Sequence, residues 1–262
     1  MKKLSVILPI HEYNDTVKEL FERSVYSYLE ADLDRESELL IITTSELKNS
    51  IETDGKKFCR GAQWKVLTTE QSDFCSMVNY GATQASEYFS ILEYDDVYWH
   101  TWFDNVQKQI DNNNLCMLYL PLCEIVDNDS LNEIGYANEA VWASSFSDEI
   151  GFFDNESIEN YLNFNVTGGI FKTSEFLEVG GLKPSMKHAF WYEFLRRAAY
   201  KGKKIYVVPK VGYKHVVNRP GSLSMNESES VSQEEMAWWI DLANKDYFFL
   251  KERDASHYVY NS

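Results

Sequence analysis

The sequence is short of cysteine, proline, basic residues and long apolar runs, and each shortage excludes something. Its four cysteines, Cys59, Cys75, Cys116 and Cys123, contain no C-x-x-C pair and no zinc-type spacing to any of the five histidines. That argues against a disulfide framework or a zinc finger, and for reduced, mostly buried thiols. Five prolines and twelve glycines never gather with serine into a linker, so no second independent domain is marked. No run approaches the length of a membrane span. The apolar stretch after Met1-Lys2-Lys3 is also too short for a signal peptide, so the expected location is cytoplasmic. Lys plus Arg number 25 against 41 Asp plus Glu, a formal net charge of -16. A field of that sign repels nucleic acid and anionic membranes, which makes nucleic acid an unlikely partner.

What is present is a large apolar fraction, 44% of 262 residues, enough for one sizeable core. Leu4-Ser5-Val6-Ile7-Leu8-Pro9-Ile10 is a near-continuous apolar run, the signature of a central parallel strand covered on both faces. Asn14 or Asp15 can cap a helix in which Val17, Leu20, Phe21, Val25, Tyr28 and Leu29 recur at helical spacing. Strands follow at 38–43 and 64–67, and a helix capped by Ser72 or Asp73 leads to a strand at 88–92. The alternation predicts an α/β domain with a mostly parallel central sheet flanked by helices.

The strand at 88–92 ends in Glu93-Tyr94-Asp95-Asp96. On a continuing strand, Glu93 and Asp95 would project from the same side. Carboxylates at a strand tip suit a hard divalent cation that also carries phosphate oxygens, and parallel sheets bind ligands at that end. Beyond it come a helix towards Asn112, a strand at 115–120 and a polar, aromatic stretch at 127–163 without evident regularity. Phe164 to Phe171 reads as a strand whose Gly168-Gly169 pair marks close approach of a ligand or of another backbone. Helices at 174–179 and 187–200 and a strand at 204–209 complete the main pattern. Ser232 and Glu235 then form a capping box for a helix bearing Met236, Trp239, Ile240, Ala243 and Tyr247.

Five stretches in this order resemble the inverting family 2 glycosyltransferases of the GT-A fold. They are Val6 to Ile10; Asp73 to Gly81, similar to G-x-S-x-A-R-N-x-G; and Tyr88 to Asp96, similar to a strand ending in D-x-D-D. The others are Val166 to Gly181, similar to the acceptor-side segment ending in G-G, and Tyr192 through Ile205. The resemblance covers roughly residues 4 to 225. It implies a GT-A domain at 1–225 with a C-terminal helical extension at 226–262 packed on it. The implied activity is metal-dependent transfer of a sugar, with inversion, from a nucleotide-diphosphate donor to a hydroxyl of a glycan or glycoconjugate.

The resemblance assigns metal binding, Mn2+ or Mg2+, to Glu93, Asp95 and Asp96, with His215 as a late further ligand. An imidazole ligand suits manganese better than calcium. It assigns the nucleotide sugar to Pro9, His11, Glu12, Thr44, Asn79, Glu93 and Asp95, and acceptor contacts to Gly168, Gly169 and Trp191. Trp99, Trp102 and Trp142 are further candidate sugar platforms, and Lys210, Lys214 and Arg219 candidate diphosphate clamps. Glu193 is the candidate general base, because the family's Glu-Asp pair is replaced here by Phe190-Trp191. Its alternative is a helix-surface carboxylate paired with Arg196 or Arg197. Thr43-Thr44-Ser45 stand where the family carries acids after the second strand, which leaves the donor base open. Two other functions remain: a binding protein that kept the fold and lost the base, and a transferase acting on modified DNA bases.

Overall fold

The computed structural model describes residues 4–32, 37–128, 132–219 and 231–256, with side chains followed to residue 244. The first part alternates as the apolar pattern predicts: β1 (Leu4–Pro9), α1 (Asp15–Ala31), β2 (Ser37–Thr43), α2 (Lys48–Phe58), β3 (Gln63–Thr68), α3 (Phe74–Gln84) and β4 (Tyr88–Ile91). Asn14 caps α1 by accepting from the Val17 amide at 3.0 Å, and Asp73 caps α3 by accepting from Ser76 at 2.9 Å. Both satisfy first-turn donors that a helix leaves open. After β4 come β5 (Val97–Tyr98), α4 (Trp102–Asn112), β6 (Leu118–Asp127), β7 (Glu133–Ala137), a 3-10 turn (Glu139–Trp142), β8 (Phe152–Phe153) and α5 (Asn155–Glu159). The chain continues through β9 (Ile170–Lys172), α6 (Thr173–Val179), α7 (Phe190–Tyr200), β10 (Ile205–Val217) and α8 (Gln233–Ser256).

One sheet runs β3-β2-β1-β4-β9-β6-β10-β5, with β7 added beside β6 and β8 beside β10. β1, β2, β3 and β4 are parallel, as are β6 and β10; β9 lies antiparallel between β4 and β6. Every residue of β1 is buried, and its side chains divide between the two faces. Val6 and Leu8 join the core under α1 and α2, while Ile7 joins the core under α3, α6 and α7. Burial on both faces is why this strand shows no polar alternation; each such side chain contributes roughly 1.5–3 kcal/mol. Across β4 and β9, Phe89 and Phe171 are in register and stack at 4.8 Å.

The structure departs from the apolar pattern in three places. The described part of the stretch at 127–163 carries β7, the 3-10 turn, β8 and α5, elements too short for periodicity to reveal. The strand expected over 164–171 is confined to Ile170–Lys172, because Val166 to Gly169 form a turn. β10 runs on to Val217, past its proline, and that extension carries His215 to the site described below. Trp239 and Ala243 of α8 pack into the α7 side of the core, and Tyr192 donates to Asn244. Tyr247 and the expected boundary between residues 225 and 226 lie outside what the structure describes at side-chain and backbone level respectively. Among the described residues, no helix is long and apolar enough to cross a membrane.

Candidate functional site

The acidic segment does not continue as a strand. Leu92 still donates to Ile7 on β1, but the Asp96 amide then folds back on the Glu93 carbonyl at 3.1 Å. This tight turn changes which carboxylates face together. Strand spacing pairs Glu93 with Asp95; the turn instead brings Glu93 and Asp96 to one side. β5 then runs antiparallel to β10, with Val97 opposite Lys214, and this register sets His215 beside Asp96. Ligand atoms of Glu93, Asp96 and His215 lie within 4.8 Å of one another.

Asp96 is fully buried and organises the group. It accepts from the Val216 amide at 2.8 Å and from His215 Nδ1 at 3.0 Å. Glu93 is fixed by its amide, which donates to the Tyr213 hydroxyl at 3.1 Å. Burial, then the charges of Asp96 and Asp95, push the Glu93 carboxyl up to about 8. Burial works to lower His215, yet Asp96 by charge and hydrogen bond, with Glu93 and Asp95, raises it to about 9. The metal-free cluster therefore holds extra protons at neutral pH, because burial disfavours the Glu93 carboxylate and the neighbouring carboxylates favour a protonated His215. Two carboxylates and an imidazole held at this distance fit a divalent cation such as manganese.

Asp95 faces elsewhere. Its Oδ2 accepts from Arg219 Nε at 2.8 Å, and its carbonyl accepts from Arg23 at 2.5 Å. Burial and Asp96 raise its carboxyl, and Arg219 opposes them. Arg219 also lies over the Tyr94 ring and donates to its hydroxyl, which in turn donates to Glu12 at 3.0 Å. The His11 ring leans on Tyr94 at 5.8 Å. Tyr94 thus links the loop after β1 to the end of β10. Ile10 donates to Ile42, and Thr43 Oγ1 to the Ile10 carbonyl, so Pro9, His11, Glu12 and Thr44 share the carboxyl end of β1 and β2. These residues and the acidic turn form one neighbourhood.

Other expected site residues have structural partners. Asn79 accepts from the Leu182 amide and donates to its carbonyl, both at 2.8 Å, tying α3 to the Gly180-Gly181 loop. Glu193 is buried, not on the helix surface. Its oxygens bind Arg197 Nε at 2.7 Å, Arg197 Nη2 at 2.9 Å and Lys183 Nζ at 3.0 Å. Arg197 donates further to the Val179 and Gly181 carbonyls. Trp191 packs on Phe171 and Phe74. The close approach implied by the glycine pair is met by the protein itself: Gly168, at φ +77°, lies against the Tyr213 ring, and Gly169 against Leu118 and Leu120.

Sequence reasoning did not assign Tyr94, Tyr213 or Arg23 to the site. Tyr94 stood inside the acidic motif and was the one readable signal. The other two depend on strand register and helix docking. Lys214 binds Glu124 at 3.1 Å and covers the Trp99 ring at 4.5 Å.

No family model and no curated protein sequence matches the chain. Among solved structures it is similar to S. aureus TarS 1-349 in complex with UDP-GlcNAc, with a TM-score of 0.67 and 17% identity over 92% of this chain. The chain spans 65% of that solved chain's length. The same protein in complex with UDP gives 0.62 at 17% identity, covering 94% of this chain and 80% of that one. A further structure of S. aureus TarS 1-349 gives 0.60 at 16% identity, with the same coverage. Likeness at this identity shows the fold alone, the GT-A fold that the sequence motifs resemble.

Proposed function

We propose that the protein is a divalent-metal-dependent glycosyltransferase that moves a sugar from a nucleotide diphosphate to an acceptor hydroxyl with inversion. The observation that carries this reading is the meeting of Glu93, Asp96 and His215 within 4.8 Å at the carboxyl end of β4. UDP and UDP-GlcNAc bound to a protein of the same fold make a uridine-diphosphate sugar the first donor to test.

In this reading Glu93, Asp96 and His215 hold the cation, and Asp95 joins them when Arg219 releases it. Bound there, a cation would neutralise charge developing on the departing diphosphate. Pro9, His11, Glu12 and Thr44 receive the base and ribose, and Asn79 holds the loop that borders them. The acceptor oxygen attacks the anomeric carbon as the bond to the phosphate oxygen breaks, and the electron pair leaves with the diphosphate. The acceptor loses its proton to a base, for which Glu193 is the candidate. Gly168, Gly169 and Trp191 border the acceptor side.

A second reading, donor binding without transfer, is favoured by one observation. Both Glu193 oxygens are engaged by cations, and Phe190 and Trp191 carry no base. Release of UDP from a panel of UDP sugars, with and without manganese, tests both. Manganese-dependent release supports the enzyme. Binding of UDP without any release, seen as a raised melting point, supports the second reading. Neither binding nor release with manganese present, repeated with the other nucleoside-diphosphate sugars, sinks both.

A further inference from the structure

A cleft of about 560 Å³ lies between α1 and the segment 97–100, and none of Glu93 to Asp96 lines it. Its volume falls within the roughly 300–1,000 Å³ usual for small-ligand sites. One wall is a helical stripe, Glu19, Glu22, Tyr26 and Glu30, at spacings that keep these residues on one face. The opposite wall is Trp99 with His100, and Lys214 covers the indole at 4.5 Å while Glu124 anchors that lysine. Tyr26 is 53% exposed, although the core-facing positions of the same helix, Phe21, Val25 and Tyr28, are buried.

Arg23 closes the inner end. One of its terminal nitrogens is used by the Asp95 carbonyl, but its Nε is buried without a hydrogen-bond partner among the described residues.

We propose that this cleft binds a neutral oligosaccharide, at a site separate from the donor cluster. Sugar rings offer apolar C–H faces to aromatic walls and hydroxyl pairs to carboxylates and guanidinium, and both kinds of partner line this cleft. Three glutamates oppose a phosphate or sulfate ligand. Arg23 and Lys214, which also line the cleft, oppose a polycationic peptide. Val97 and Tyr98 directly follow Asp96, and Lys214 precedes His215, so the cleft adjoins the acidic turn in the chain. Identifying that occupant with the far end of the acceptor glycan rests on the glycosyltransferase reading; the binding itself does not.

The test is binding of the intact protein to a glycan array bearing neutral, amino and acidic oligosaccharides, followed by saturation-transfer NMR on the hits. Neutral glycans bind to the wild type, and Tyr26→Ala and Glu22→Gln each weaken them by about tenfold or more. Both variants keep the wild-type melting point and the wild-type thermal response to UDP with manganese, which reads the donor site separately. No neutral glycan bound at millimolar concentration, preference for acidic glycans or for a lysine-rich peptide, or neutral binding untouched by both substitutions overturns the proposal. A lost UDP response with intact glycan binding would count against the donor site alone.

Discussion

Arg219 holds Asp95 away from the other acidic residues of its own motif. The guanidinium Nε reaches Asp95 Oδ2 at 2.8 Å, whereas Glu93 and Asp96 face His215. An arginine thus supplies positive charge to one carboxylate, and the candidate metal group consists of three different side chains. Cation binding through Asp95 requires this ion pair to open.

Replacing Arg219 with alanine frees Asp95 to join the cluster. Manganese binding to the otherwise unliganded protein, measured by calorimetry, is expected to tighten by about tenfold, the effect of one recovered interaction of about 1.4 kcal/mol. The same variant loses a charge-assisted hydrogen bond and should be less stable by about 1.5–3 kcal/mol in urea unfolding. Unchanged or weaker manganese affinity would show that Asp95 contributes nothing to the ion even when released.

The protonation of the cluster sets a pH dependence. His215 is raised to about 9 and Glu93 to about 8, so both carry a proton at neutral pH when no metal is bound. A cation must displace those protons, and its affinity therefore rises as pH increases from about 7 to 9. Stability of the metal-free protein moves oppositely at His215. Its folded value exceeds the unfolded one, so the contribution is full below the unfolded value and fades as pH rises through about 9. Calorimetry in two buffers of different ionisation enthalpy measures the protons released. Affinity that is flat over this range, with no proton release, contradicts the assignment of these ligands.

The first half of the fold could be read from residues because each element is long enough to show its period. β1 is apolar throughout, and α1 and α3 carry their caps and stripes in plain sequence. The candidate metal cluster was only half legible. Glu93 and Asp96 announce themselves, but their pairing depends on a turn that a strand-spacing argument replaces with Glu93 and Asp95. His215 was nameable as a residue, yet its place beside Asp96 comes from the two-residue ladder between β5 and β10, too short to leave a pattern. Glu193 shows the limit from the other side. Its i, i+4 spacing to Arg197 was visible, whereas its burial came from the docking of α6 and Lys183, which local sequence does not encode.

Gly168 offers a structural test independent of activity. Its φ of +77° lies in the left-handed region, and an added Cβ would fall 2.3 Å from the Tyr213 ring. Gly168→Ala combines backbone strain with overpacking, and each costs about 1–3 kcal/mol. Because Tyr213 also holds the Glu93 amide, manganese affinity should fall along with stability. A variant as stable as wild type would show that the turn at 166–169 adjusts freely and that the glycine serves some other contact.

The two readings of Glu193 predict opposite outcomes for Glu193→Gln. If the carboxylate is the base, the glutamine loses turnover by several orders of magnitude while the fold is hardly disturbed. If it is the anchor of Arg197, removing its charge leaves a buried guanidinium and an ammonium without their counterion, a loss of about 3–5 kcal/mol. Arg197 bridges α7 to the carbonyls of Val179 and Gly181, so the damage should spread to the loop held by Asn79. Urea unfolding read beside UDP release separates these cases. Large destabilisation with residual, manganese-dependent turnover assigns Glu193 to the fold and sends the search for a base to the histidines and carboxylates around Tyr94. Intact stability with abolished turnover restores it as the base, and then the ion pair seen here must open when the acceptor binds.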